Sequence, residues 1–163
     1  MVSNPRQWLE VFHSIGVQGY TFHIEAFSDP ADAVQLLEDI KALGMRAGIA
    51  LKPKTPVSLA IKSGAVEEAD MVLIMTVEPG FGGQSFMEDM MPKVKELRSL
   101  FPEKLIQVDG GIALDTIQIV ADAGANVIVS GSGVFGAKVG AQSAISQMRE
   151  VVNSAIAQYT KTQ

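Results

Sequence analysis

Cysteine is absent from all 163 residues, which excludes disulfides, zinc–thiolate sites and a thiol nucleophile together. Basic clusters are absent as well. The 13 Lys and Arg are dispersed among 18 Asp and Glu, and the net charge of −5 argues against a nucleic-acid surface or an acidic membrane as partner. Long apolar runs are also missing. Met71–Met75 is about a quarter of the ~20 residues needed to cross a bilayer, and the N-terminal residues lack the layout of a signal peptide. A soluble, cytoplasmic protein is the expectation, and an anionic ligand would have to be held by local devices rather than by the overall field.

What is present suits one core. With 47% hydrophobic and 19% charged residues, the chain reads as a single domain over residues 1–163. Short apolar runs alternate with helical periodicity, as in parallel strands covered by helices. The spacing predicts strands over Tyr20–Glu25, Arg46–Leu51, Met71–Thr76, Leu105–Asp109 and Val127–Ser130. Trp8, Val11, Phe12 and Ile15 form one helical stripe, and Ile145, Met148, Val152, Ile156 and Tyr159 form another. Asp29-Pro30 opens a helix with an N-cap and a proline at the first position, and Pro92 opens another over Met91–Phe101. Gly16, Gly44 and Gly124 each stand between a helix and a strand, as left-handed C-caps do. Either a doubly wound open sheet or part of an eight-fold barrel suits this pattern. The barrel reading implies about three further βα units of roughly 30 residues each, placed before the opening helix.

Three segments carry candidate chemistry. Met75 to Gln84 leaves a strand end and holds Gly80, Gly82 and Gly83 around Phe81. Such glycines let backbone N–H groups turn toward a phosphate, although a flexible surface loop has the same composition. Val108 to Gly111 and Val129 to Ser132 are two more glycine-bearing strand ends, and Ser132 would begin a short helix. Asp109 stands at a strand tip, where a carboxylate can act as acid or base or bind a divalent cation; it can equally cap a turn. Of the two histidines, His13 reads as a surface residue. His23 alternates to the face opposite Phe22 and Ile24, as a packed histidine or as a polar contact beside Glu25. Met75 is the methionine placed to face a ligand, the others being core filling.

Taken in order, Met75 to Gln84, Val108 to Gly111 and Val129 to Ser132 resemble the C-terminal signatures of ribulose-phosphate 3-epimerases. Met1 to Trp8 and Tyr20 to Glu25 also match that family in order and spacing. The resemblance implies a (β/α)8 barrel, here incomplete with about five strands. It implies interconversion of ribulose 5-phosphate and xylulose 5-phosphate, with a divalent metal (zinc, iron or manganese). It casts Asp109 as a catalytic aspartate and metal ligand. Gly80, Phe81, Gly82, Gly83, Gly110, Gly111, Gly131 and Ser132 become phosphate and substrate contacts, and Met75 a lining residue near the reacting carbons. The family's other catalytic aspartate and its remaining metal ligands have no counterpart in this sequence.

Two readings of another class stay open. One is a non-catalytic remnant that binds sugar phosphate or serves in assembly. The other is a different phosphate-binding barrel enzyme, such as a decarboxylase, whose lysine-bearing strand motifs are not apparent here. A part of a barrel exposes apolar surface and strand edges, so a homo-oligomer, a dimer in the first instance, is expected.

Overall fold

A computed structural model describes residues 1–161. Five strands, β1 (Gly19–His23), β2 (Arg46–Leu51), β3 (Met71–Met75), β4 (Leu105–Asp109) and β5 (Val127–Val129), line up in one sheet in chain order. Pairing is parallel where β1 meets β2, with His23 opposite Ala50, and where β4 meets β5, with Asp109 opposite Val129. The helices are α1 (Leu9–Ser14), α2 (Pro30–Ala42), α3 (Val57–Lys62), α4 (Ala65–Glu68), α5 (Met91–Leu100), α6 (Ile117–Asp122), α7 (Ser132–Phe135) and α8 (Ala141–Lys161). The chain divides into two compact units within β3, Met1–Leu73 and Ile74–Gln163.

In the first unit α2 is the main cover. Asp29 caps it, its carboxylate accepting the Ala31 N–H at 2.9 Å, and Pro30 fits the first turn where no donor is needed. Ala33, Leu36, Leu37 and Ile40 then fall on one face and are wholly buried. Each large side chain among them contributes about 2 kcal/mol by leaving water. β2 is buried along five of its six residues, as a strand covered on both faces should be.

The opening helix departs from its predicted stripe. Pro5–Trp8 winds as a 3-10 turn, and the α-helix begins only at Leu9. The change of pitch turns Leu9 inward and leaves Trp8, Val11 and Ile15 exposed. β1 is also shorter than predicted, because Ile24–Ala26 tightens into a 3-10 turn.

In the second unit α6 and α8 pack together. Ile117, Val120 and Ala121 meet a seam on α8 made by Ala144, Met148, Val152 and Ala155, while Ile145 and Ile156 of the predicted stripe stay exposed. Arg98 on α5 donates Nε–H to the Gly124 carbonyl at 2.9 Å and also caps the Pro102 carbonyl.

One device recurs in both units at the start of a strand. Asp70 accepts the Ala47 N–H at 2.7 Å on its carboxylate and returns its own N–H to the Ala47 carbonyl at 2.8 Å. Asn126 treats Ile106 the same way, at 2.7 and 3.0 Å. Each bond adds about 1 kcal/mol net and fixes where pairing begins. With the strand starts fixed, their far ends are fixed too.

Candidate functional site

The carboxyl ends of β3, β4 and β5 carry the glycine turns, and within the second unit these turns meet around a cleft of about 240 Å³. Strand alternation decides what faces it. Ile106 and Val108 of β4 are wholly buried, so Gln107 and Asp109 lie on the other face. Asp109 therefore ends its strand half-buried at the cleft wall.

Two glycines after Asp109 have no substitute. Gly110 has φ +125°, and a Cβ there would stand 2.4 Å from a methyl of Val77. Gly111 has φ +67°, and its Cβ would meet the Phe86 backbone nitrogen at 2.6 Å. Both the turn and the close approach of the loop after β3 require hydrogen at these positions.

That loop is held at its base. Met87 N–H donates to the Thr76 carbonyl at 2.9 Å, and Thr76 N–H donates to the Asp109 carbonyl at 2.9 Å. The Thr76 hydroxyl, wholly buried, donates to the Gly110 carbonyl at 2.6 Å. Nearer the tip, the Gln84 carboxamide donates to the carbonyls of Glu78 at 2.7 Å and Phe81 at 2.9 Å. On the β5 side the Ser130 hydroxyl donates to the Ile112 carbonyl at 2.7 Å. Backbone carbonyls are thus turned to internal donors. Among the described residues, the N–H groups of Gly82, Gly83, Gly111 and Ser132 take no part in turn or capping bonds, and a rim of free amides suits an anion.

Burial raises the Asp109 carboxyl above the ordinary aspartate range, because its charged form loses solvent. No hydrogen-bond or ion-pair partner offsets this among the described residues. Such a group accepts and returns protons nearer neutrality than an exposed aspartate does.

Phe81, Gly82, Gly83, Asp109, Gly110, Gly111, Gly131 and Ser132 all line the cleft. Gly80 and Met75 lie outside the lining, Met75 being buried at 2% exposure. The fold adds Val77, Gln84 and Ser130 to the lining and Thr76 beneath it. A threonine leaving a strand just before a glycine loop was the available signal for the last of these. Ser132 begins α7, as its position after β5 predicts.

A resident divalent cation does not fit the described residues. Asp109 offers one carboxylate, and no group of three His, Asp or Glu side chains converges among them. Four ligands for zinc, or about six for a harder ion, are the usual need.

A family model described as the ribulose-phosphate 3 epimerase family matches residues 1–135. The ribulose-phosphate 3-epimerase of Eremothecium gossypii is 52% identical over 137 residues, 84% of this chain and 55% of that protein. The cytoplasmic isoform from Oryza sativa subsp. japonica is 49% identical over 84% of this chain and 60% of its own length. The Bacillus subtilis protein of the same name is 38% identical over 91% and 68%. The chain thus spans between about half and two-thirds of these relatives. Among solved structures, 3-hexulose-6-phosphate synthase from Salmonella typhimurium superposes with a TM-score of 0.68 at 18% identity, covering 93% of this chain and 69% of that one. Thiamine phosphate pyrophosphorylase from Pyrococcus furiosus gives 0.61 at 17%, covering 91% and 65%. These likenesses show the fold, of the barrel type.

Proposed function

The chain belongs to the ribulose-phosphate 3-epimerase family, and from that membership we propose that its cleft holds a ketopentose 5-phosphate and moves a proton at C3. The observation that carries the proposal is the convergence of Asp109 with three glycine-bearing strand ends on one cleft. The amides at the rim hold the phosphate, and Ser132 adds a hydroxyl. A substrate fixed by its phosphate presents the carbon beside its ketone to a single carboxylate, and positioning of that kind supplies a large share of catalysis.

Inversion at C3 removes a proton from one face and returns one to the other, through an enediolate. Asp109, held above the ordinary aspartate range by burial, serves one face as base and then as acid. A second group must serve the opposite face. The reaction of the whole protein, ribulose 5-phosphate to xylulose 5-phosphate, needs both. In the family a divalent metal also serves this chemistry; its ligand set is not furnished by the described residues.

Deuterium exchange separates the halves of the reaction. Ribulose 5-phosphate incubated with the chain in D2O should gain deuterium at C3, read by proton NMR, and Asp109→Asn should abolish the gain. Exchange unaffected by that substitution would sink the assignment.

A second reading is favoured by the isolation of the Asp109 carboxylate: a chain that binds sugar phosphate without turning it over. Calorimetric binding of ribulose 5-phosphate with no exchange at C3 would favour it. Cytoplasmic placement and a homo-oligomer belong to the same proposal. Light scattering on the purified chain tests the oligomer, and a stable monomer would exclude it.

A further inference from the structure

His23 ends β1 in the first unit. Tyr20 and Phe22 turn to an aromatic group with Phe12 and Phe27, at centroid distances of 5.2, 6.4 and 5.7 Å along the series. Thr21 and His23 alternate to the opposite face. There the packing is tight: Thr21 stands opposite Gly48, where a Cβ would meet the Thr21 hydroxyl at 2.2 Å.

The imidazole of His23 is 10% exposed, and its Nδ1 lies 3.2 Å from Oε2 of Glu25. Glu25 is itself held from the loop after β2. Its Oε1 accepts the Lys52 N–H at 2.8 Å. Burial alone would raise the Glu25 carboxyl, but hydrogen bonds from His23, Thr55 and Lys52 outweigh that and bring it down to about 2. Ionised, Glu25 can only accept, so Nδ1 of His23 must carry the proton of the bond between them. In the neutral ring Nε2 then carries the lone pair.

Nε2 has no partner among the described residues. No side-chain nitrogen or oxygen there is buried without one, so Nε2 is the part of a nearly enclosed ring that opens outward. A histidine serving only as a strap between β1 and the loop would have no need of an open nitrogen. Its place is the carboxyl end of a parallel strand, where α/β sheets bind small ligands.

We propose that His23 and Glu25 form a hydroxyl-binding dyad, in which Nε2 of His23 accepts a hydrogen bond from a polyhydroxylated small ligand of the ketopentose class. Glu25 is its positioning residue, fixing tautomer and ring orientation. A neutral acceptor beside a carboxylate disfavours anions and selects donors, which sugar hydroxyls are. The proposal rests on the sugar-phosphate reading only for the choice of ketopentose as probe.

The test uses the full chain with 15N-labelled histidine at about pH 8, where an ordinary imidazole is neutral. Long-range proton–nitrogen correlations report which ring nitrogen carries hydrogen, and His13→Gln assigns the two residues. His23 should show the Nδ1–H tautomer. D-ribulose, which lacks phosphate, should shift its Nε2 resonance, and inorganic phosphate should not. Glu25→Gln, whose amide can donate or accept, should mix the tautomers and weaken the D-ribulose response by about tenfold. An Nε2–H tautomer in the unsubstituted chain, or a resonance unmoved by saturating D-ribulose, overturns the proposal, and neither result needs a variant to fold. Loss of phosphate binding with His23 still responding would count against the glycine-loop site alone.

Discussion

The hydroxyl of Thr76 and the carbonyl of Gly110 stand 2.6 Å apart, joining the exits of β3 and β4 where Thr76 is wholly buried and Gly110 borders the cleft. Thr76 also donates its N–H to the Asp109 carbonyl and accepts the Met87 N–H. One residue thus sets the position of the Asp109 backbone and the base of the glycine loop.

Replacing that hydroxyl by a methyl keeps volume and removes the donor. Thr76→Val should cost about 1 kcal/mol, because the part-buried Gly110 carbonyl loses its donor. Thr76→Ser should recover most of it. Urea midpoints for both variants check the stability, and ribulose 5-phosphate titrations should show weaker binding for Val only.

Gly110→Ala meets both a positive φ of +125° and the Val77 methyl at 2.4 Å. The loss should exceed about 2 kcal/mol, and pairing Gly110→Ala with Val77→Ala should return part of it by removing the two closest methyl contacts. A double-mutant cycle measured by denaturation reads that coupling; strict additivity would mean the contact does not matter.

Asp109 sits with its carboxyl raised by burial, so the folded state holds this proton more tightly than the unfolded state does. Its contribution to stability is therefore lost as pH rises through the folded-state value. Asp109→Asn should raise the melting temperature at neutral pH while abolishing exchange at C3. Equal melting temperatures across the pH range would contradict the direction of the shift.

Glu25 runs the other way. Its carboxyl is drawn from 4.5 to about 2, so its stabilising contribution is present above 4.5 and disappears as pH falls through about 2. Allowing for solvent screening, that contribution is on the order of 1–2 kcal/mol. Acid unfolding of the chain and of Glu25→Gln should diverge above about pH 4 and converge near pH 2.

Much of this architecture can be read from the residues. β2, buried on both faces, appears as a short apolar run, and β3 and β4 alternate around buried Ile74 and Ile106. Asp29 and Pro30 mark a helix start by chemistry that needs no tertiary context. Gly16, Gly44 and Gly124 do adopt positive φ, at +78°, +75° and +103°.

What escapes is set by partners distant in sequence. The seam of α8 runs through Ala144 and Ala155, small residues that a search for large apolar side chains passes over. β1 stops at His23, because the turn at Ile24–Ala26 brings Glu25 back to Lys52. The cleft lining was largely legible, since glycines at strand ends have few other reasons to recur. Thr76, Gln84 and Ser130 were not, because a hydroxyl or carboxamide that bonds a backbone carbonyl follows no period; it is placed by the carbonyl it meets.

The bond from Met87 N–H to the Thr76 carbonyl at 2.9 Å has an evolutionary consequence. It brings the two feet of the glycine loop together, so β3 and α5 stay anchored whatever lies between. Closing a loop twice as long would cost only about 0.6 kcal/mol more. The segment from Glu78 to Gln84 can accordingly be exchanged as a cassette, and a lineage carrying this framework can trade one ligand for another without rebuilding the sheet beneath.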